Sequence, residues 1–296
     1  MNMCITKNKV KVIFNPNSHS GKSRGMFNEF LNILKSNGID YLVYETQKPK
    51  DARRIAFEQV EDNDVVIIIG GDGTVHEIIN GSINKKRIKY YILPAGTGND
   101  IYSAVNHLKK EWSFEQIFME SNIKKCNTIL INDNFIMTLF VAYGIVMDII
   151  KECRKKKEKK KSSYLKAVIK VAFFYNPTEF EYSVNELPIK RVKADYIGVN
   201  NASRVGGGML ICPLSKINDD KIELVILEYK NRIRRILNII AMLRQRIDKQ
   251  PNYKCIVCDS ASIFSTDSKE CCIDGEILVE ESITAELRKE SIEFLI

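Results

Sequence analysis

Three glycine-bearing segments in the first hundred residues could handle phosphate. They are Asn15-Pro16-Asn17-Ser18-His19-Ser20-Gly21, Gly70-Gly71-Asp72-Gly73-Thr74 and Pro94-Ala95-Gly96-Thr97-Gly98-Asn99-Asp100. Glycine lets backbone N–H groups approach a phosphate closely, because no Cβ intervenes. Each segment follows a strand-like run (10–14, 65–69 and 88–93) and leads into a helix-like one. A helix N-terminus favours anions, and ligands of open parallel sheets bind at the carboxyl edge of the strands. One such loop would be weak evidence; three at one edge predict a nucleotide site. Asp72 brings a carboxylate among these amides, which is unfavourable unless a cation stands between it and the phosphates. Mg²⁺ meets that need, since it takes one or two carboxylates along with phosphate oxygens and water. The plainer alternative is that Gly-Asp-Gly is only a tight turn. Ser20-Gly21-Lys22-Ser23 is not a P-loop, because Pro16 stands where that motif needs its first glycine.

The elements that must position these loops alternate. Phe27, Phe30, Leu31 and Leu34 share one helical face closed by Asn37-Gly38, 40–45 alternates as a strand, and 50–60 reads as a helix. Val65-Val66-Ile67-Ile68-Ile69 is an unbroken β-branched run, the mark of a strand buried on both faces. This pattern predicts a parallel α/β nucleotide-binding domain over residues 1–127. The text then changes to short strand-like segments at 129–131, 135–143, 179–184, 194–199, 222–227, 256–257, 262–265 and 284–287. These predict a β-rich sandwich or barrel over 128–296, with room for the final segment to pack back on the first domain. Two helices interrupt them, at 164–174 and 232–246. In the second, Ile233, Ile236, Leu237, Ile240 and Leu243 recur at helical spacing, a stripe that in a basic helix faces the core more often than a membrane, so the core is expected.

The chain has 296 residues, 45% hydrophobic and 28% charged, an ordinary globular composition. No window approaches the ~18–20 consecutive apolar residues that span a bilayer. The first residues lack the apolar stretch of about 7 to 15 that a signal peptide needs, which points to the cytoplasm. The close cysteine pairs, Cys255-x-x-Cys258 and Cys271-Cys272, allow a four-thiolate zinc site or buried strand thiols in a reducing compartment. The absence of a Gly-rich knuckle favours buried thiols. The net charge of +8 favours anionic partners. It is concentrated at 154–161, where seven of eight residues are cations, and again at 230–254. These cations are not interleaved with aromatics as single-strand platforms require, so no nucleic-acid role is expected.

At Asn15-Pro16…Ser20-Gly21, Gly70-Gly71-Asp72-Gly73-Thr74…Glu77 and Pro94-x-Gly96-Thr97-x-Asn99-Asp100 the chain resembles the diacylglycerol kinase catalytic domain family. That family includes bacterial soluble lipid kinases, sphingosine kinases and ceramide kinases. Later segments are similar too: Gly206-Gly207-Gly208-Met209, the run from Pro213 to Asp220, and Asp274-Gly275-Glu276. The resemblance implies a phosphofructokinase-like N-terminal domain, a β-rich C-terminal domain, and an active site in the cleft between them. It places Asn15, Pro16, Ser20, Gly21, Thr46, Gly70, Gly71, Gly73, Thr74, Thr97 and Asn99 around ATP. It gives Asp72 the task of organising Mg²⁺ and the phosphates, and makes Glu276 the general base. A carboxylate within reach of a lipid hydroxyl can take its proton as phosphoryl transfer proceeds. A structural Mg²⁺ would be held by the Asp219 side chain and the backbone carbonyls of Lys216 and Lys221. Three positions depart from the family: Asp220 and Val146 replace glycines, and Val141 replaces an asparagine.

The implied reaction is transfer of the ATP γ-phosphoryl group to a lipid hydroxyl, foremost that of diacylglycerol. An NAD kinase shares the Gly-Gly-Asp-Gly-Thr loop and is the competing enzyme reading; an inert lipid- or nucleotide-binding regulator is the third. Such an enzyme would work from the cytoplasm on the inner face of an anionic membrane. The 154–161 lysines would help at ~1 kcal/mol per cation. This reading also accommodates a homodimer.

Overall fold

The β-branched runs of the first half form the parallel sheet their pattern predicts. The computed structural model describes residues 10–18, 23–106, 123–155, 161–266 and 270–296. It divides into two compact units, one of residues 1–127 with 289–296 and the other of 128–288.

In the first unit, β1 (Val10–Phe14), β2 (Tyr41–Glu45), β3 (Val65–Gly70) and β4 (Lys89–Pro94) run parallel in the order β2-β1-β3-β4. Val10 pairs with Val65 and Val65 with Lys89, so the carboxyl ends of β1, β3 and β4 share one edge. Helices α1 (Ser23–Ser36), α2 (Asp51–Gln59) and α3 (Asp72–Gly81) make the crossovers, and α4 (Asp100–Asn106) follows β4. The face of α1 built from Phe27, Phe30 and Leu34 packs on Val12, Phe14, Ile67 and Leu93. Phe14 and Phe27 stack at 4.3 Å between centroids. Glu293 and Phe294 pair in parallel with Lys89 and Tyr90, so the last residues of the chain extend this sheet beside β4.

The chain leaves this unit within β5 (Ile123–Ile131) and enters an antiparallel assembly. The run expected as one strand at 135–143 is two, β6 (Phe135–Met137) and β7 (Phe140–Gly144). The break at Thr138-Leu139 arises because the backbone N–H groups of these residues turn onto a distant carboxylate, that of Asp274. Helix α5 (Ile145–Arg154) follows Gly144, whose φ of 99° and whose closeness to the Asp195 carbonyl exclude a side chain; an added Cβ would lie 2.4 Å from that oxygen. Next come α6 (Lys161–Phe174), β8 (Thr178–Val184), β9 (Lys190–Asn200), β10 (Arg204–Val205), β11 (Met209–Leu210), β12 (Ile222–Glu228) and α7 (Arg232–Leu243). The strands β13 (Tyr253–Cys258), β14 (Ser260–Ser265), β15 (Glu270–Ile273), β16 (Glu276–Val279) and β17 (Ser282–Leu295) complete the chain. The order β16-β15-β7-β9-β8-β14-β17, with β12 paired to β9 and β13 to β12, encloses a core of Val141, Tyr143, Phe180, Ile197, Leu224, Ile263 and Ile283.

One expectation is overturned. The apolar stripe of α7, expected to face the core, faces outward: Ile233, Leu237, Ile240 and Leu243 are exposed, whereas Arg235, Asn238, Ile239 and Ala241 are buried. The cause is Arg235, whose buried guanidinium pairs with Asp195 of β9 at 2.8 Å. It also donates to the carbonyls of Ala172 and Tyr175 at the end of α6, at 2.9 Å each. A buried cation must keep its partners, and that requirement sets the rotation of the helix. The lysines at 156–160 lie outside the described residues.

Candidate active site

The start of the first loop, Asn15 to Ser18, and the second and third glycine loops follow the carboxyl ends of β1, β3 and β4. The Asn15 N–H donates to the Ile69 carbonyl at 2.9 Å, and the Ala95 N–H to the Gly70 carbonyl at 2.8 Å, so each loop leaves its strand fastened to the next. The Asn15 side chain donates to the Thr74 hydroxyl at 2.9 Å, tying the first loop to the start of α3. Thr46, buried, follows β2 and donates its N–H to the Phe14 carbonyl at 2.9 Å, beside Asn15. Pro16 is half-buried next to it. Ser20 and Gly21 lie outside the described residues.

Glycine is required where the loops touch. A Cβ on Gly96 would lie 2.6 Å from the Gly71 Cα, and one on Gly71 would lie 2.9 Å from the Gly96 Cα. A Cβ on Gly70 would strike the Thr74 side chain at 2.6 Å. Asn99, at a φ of 54°, accepts the Gly96 N–H at 2.8 Å and donates back to the Gly96 carbonyl at 3.1 Å, closing the third loop on itself. Gly73 lies in the first turn of α3, and Thr97 is exposed at the tip of the third loop. We expect Gly96→Ala to push the two backbones apart and weaken ATP by about ten- to a hundredfold, the equivalent of roughly 1–3 kcal/mol of overpacking. Titration calorimetry with a non-hydrolysable ATP analogue reads this directly. An unchanged affinity would mean that the two loops do not share a ligand.

Asp72 is placed differently from what its charge alone suggests. Its Oδ1 accepts the Ile101 N–H at 3.0 Å, and the amides of Asp100 and Asn99 also face it, so it caps the first turn of α4. Burial pushes this carboxyl above the usual carboxylate range, opposed by the Ile101 amide and reinforced by Asp100. The residue therefore links the second glycine loop to the third, a contact across 29 positions that no local signal announces.

In the second unit, Asp274-Gly275 is the two-residue turn between β15 and β16, with φ of 49° and 93° and Ile273 paired with Glu276. Positive φ at both positions is the hairpin geometry for which Asp-Gly is preferred. The Asp274 side chain does more than turn. Its Oδ2 accepts the Thr138 N–H and hydroxyl, both at 2.8 Å, and its Oδ1 accepts the N–H groups of Leu139 at 2.8 Å and Phe140 at 3.0 Å. Asn201 fastens the same bend from behind, donating to the Thr138 carbonyl at 2.8 Å. This bend is absent from the sequence reading, because its partners lie more than 130 residues apart. Its effect is to hold Glu276, exposed at the first position of β16, on a rigid support.

The segment after Cys212 holds the residues that the family resemblance assigned to a structural cation. Asp220 has a φ of 58°, the left-handed conformation that suits the family's glycine and that aspartate tolerates. The substitution therefore keeps the path of the loop. Burial pushes the Asp219 carboxyl up, and its Oδ1 is buried with no hydrogen-bond partner. Glu223 on β12 is buried nearby and is raised by burial and further by Asp219. Carboxylate oxygens are the donor type that a hard divalent ion takes. Among the described residues no group of three or more His, Cys, Asp or Glu stands close enough to hold a metal on side chains alone. Cys258, Cys271 and Cys272 are buried strand thiols, and Cys255 approaches Cys212 at 3.8 Å.

A parallel sheet with glycine loops after its strands, followed by an antiparallel β domain with a braced carboxylate hairpin, is the architecture of this chain. Residues 9–131 match the model of the diacylglycerol kinase catalytic domain, and 143–296 match that of the YegS C-terminal NAD kinase beta sandwich-like domain. The chain belongs to the diacylglycerol kinase catalytic domain family of lipid kinases, whose members use ATP. A Staphylococcus carnosus protein named "Putative lipid kinase" is 26% identical over 78% of this chain and 76% of its own. Sphingosine kinase B of Dictyostelium discoideum is 33% identical over a third of this chain and 14% of its own. A solved structure described as a diacylglycerol kinase from Bacillus anthracis str. Sterne shares the fold, with a TM-score of 0.78, 20% identity and 98% of each chain covered. Among the described residues no helix is long and apolar enough to cross a membrane.

Proposed function

We propose that this lipid kinase transfers the γ-phosphoryl group of ATP to the hydroxyl of a diacylglycerol, giving phosphatidic acid, on the inner face of a membrane. The observation that carries the ATP half is the mutual contact of Gly71 and Gly96, which brings two amide-rich loops together at a sheet edge with Asn15 and Thr74 alongside. Asn15, Thr46, Gly70 to Thr74, Thr97 and Asn99 bind the nucleotide. Ser20 and Gly21 belong to the same first loop. Asp72 holds the second and third loops together and serves the Mg²⁺ that arrives with the phosphates. That ion neutralises charge on the transferring group. Asp219, with the carbonyls of Lys216 and Lys221, holds a second, structural Mg²⁺. Glu276 takes the proton of the lipid hydroxyl.

The test is an assay of ATP and Mg²⁺ against a lipid panel. Labelled phosphate should appear in the organic phase with diacylglycerol and exceed that found with sphingoid base, undecaprenol or other long-chain alcohols. A stronger signal on one of those would replace the acceptor while keeping the chemistry. Label on NAD with none on lipid would overturn the reading in favour of a nucleotide kinase.

A further inference from the structure

Helix α7 keeps a charged residue inside and its longest apolar stripe outside. Its buried face carries Arg235 and Asn238 beside Ile239 and Ala241, and its outward face carries Ile233 at 71% exposure, Leu237 at 42%, Ile240 at 39% and Leu243 at 52%. The Arg235 guanidinium explains how the polar face is tolerated inside. It pairs with Asp195, donates to the last carbonyls of α6, and lies over the rings of Tyr175 and Tyr229 at 5.2 and 5.3 Å. The same clamp binds α7 to the end of α6, where Phe173 and Phe174 are 48% and 77% exposed. Water is the wrong solvent for two adjoining helices that present large apolar side chains this way.

The charges carried by α7 and its flanking residues have one sign. From Tyr229 to Ile247 the sequence holds Lys230, Arg232, Arg234, Arg235, Arg244 and Arg246 and no Asp or Glu. From Lys159 to Pro177 there is again no acidic residue. Of the neighbouring carboxylates, Glu152 pairs with Lys170, Glu228 with Lys254 and Asp248 with Lys249, and exposed Asp148 of α5 lies close enough to Tyr175 to act on it. An apolar face rimmed by arginines is the composition of a helix lying in the headgroup boundary of an anionic bilayer. A second copy of the chain is a poor occupant, since a twofold interface would bring two identical basic rims together.

We propose that the outward face of α7, with Phe173 and Phe174 of α6, is the surface by which this protein docks on anionic membranes. The apolar side chains enter the acyl boundary and the arginines meet lipid phosphates. This rests on the lipid-kinase reading and adds to it the surface through which the enzyme reaches its substrate.

The test combines Ile233→Gln, Leu237→Gln and Ile240→Gln in one variant, at positions whose exposure leaves the fold intact. Cosedimentation uses vesicles of phosphatidylcholine and phosphatidylglycerol without diacylglycerol. Kinase activity is measured on diacylglycerol in vesicles and on a short-chain diacylglycerol dispersed as monomers. The bound fraction should fall about tenfold or more, and activity on vesicle lipid should fall with it, while activity on dispersed lipid holds. An Arg232→Glu, Arg244→Glu variant should also lose binding, and added salt should weaken the parent. Equal cosedimentation of the apolar variant and the parent would overturn the docking face, as would a change in oligomeric state with vesicle binding untouched. If neither form of diacylglycerol is phosphorylated while binding falls as stated, the docking face stands and the diacylglycerol reading fails.

Discussion

Glu276→Gln is expected to lower kcat by about two to four orders of magnitude while the affinity for ATP stays as it was, the range a positioned general base contributes. The substitution keeps the size of the side chain and removes only its capacity to take a proton. Glu276 opens β16 directly after the Asp274-Gly275 turn, and its side chain is exposed, so the fold should tolerate the amide. ATP contacts assigned to the glycine loops do not involve this residue, which separates the two readouts. Single-turnover phosphorylation of diacylglycerol, together with calorimetric titration of nucleotide, measures both. Full activity in the variant would remove Glu276 as the base. A parallel loss of ATP affinity would assign it to nucleotide binding instead.

Asp274→Ala carries the second large effect, on stability. The carboxylate accepts three backbone N–H groups and one hydroxyl from Thr138, Leu139 and Phe140, all in buried residues. Removing it leaves four donors in a dry interior, each costing about 1–3 kcal/mol when unsatisfied. Allowing for relaxation around the bend, the expected loss is roughly 3–5 kcal/mol. Asp274→Asn should be intermediate, because an amide keeps one accepting oxygen but turns an NH₂ group toward other donors. The urea midpoint should therefore fall in the order aspartate, asparagine, alanine, with little change in slope. Activity should fall along the same order, since Glu276 loses its support. Equal midpoints for the three proteins would mean that the clamp does not hold the hairpin.

Much of the first unit could be read along the chain, because its determinants are local. A continuous β-branched run such as Val65 to Ile69 can only be a strand buried on both faces, and the glycines that follow mark where backbone must lie bare. The positions of β1, β3 and β4 and of their loops follow from that pattern. What the loops do to one another does not. Asp72 looks like a phosphate-site carboxylate in the sequence, yet its partner is the start of α4, which only the pairing of β3 beside β4 brings within reach. In the second unit, the Asp274-Gly275 hairpin was readable as a turn from the dipeptide, but its four-donor clamp was not.

Helix α7 marks the limit most clearly. Periodicity located the apolar stripe of Ile233, Leu237, Ile240 and Leu243, but it carries no statement about which side of the helix faces the protein. The usual inference, apolar side inward, rests on water being the only alternative. Here a buried Arg235 needs Asp195 and the carbonyls closing α6, and meeting that need turns the stripe outward. The sequence by itself determined which residues could bind phosphate and where strands and helices lie, because spacing and residue type act over a few positions. The tertiary structure alone decided which carboxylates clamp backbone and which face of α7 is bare. Those outcomes depend on partners far apart in the chain, which meet only once the sheets are assembled.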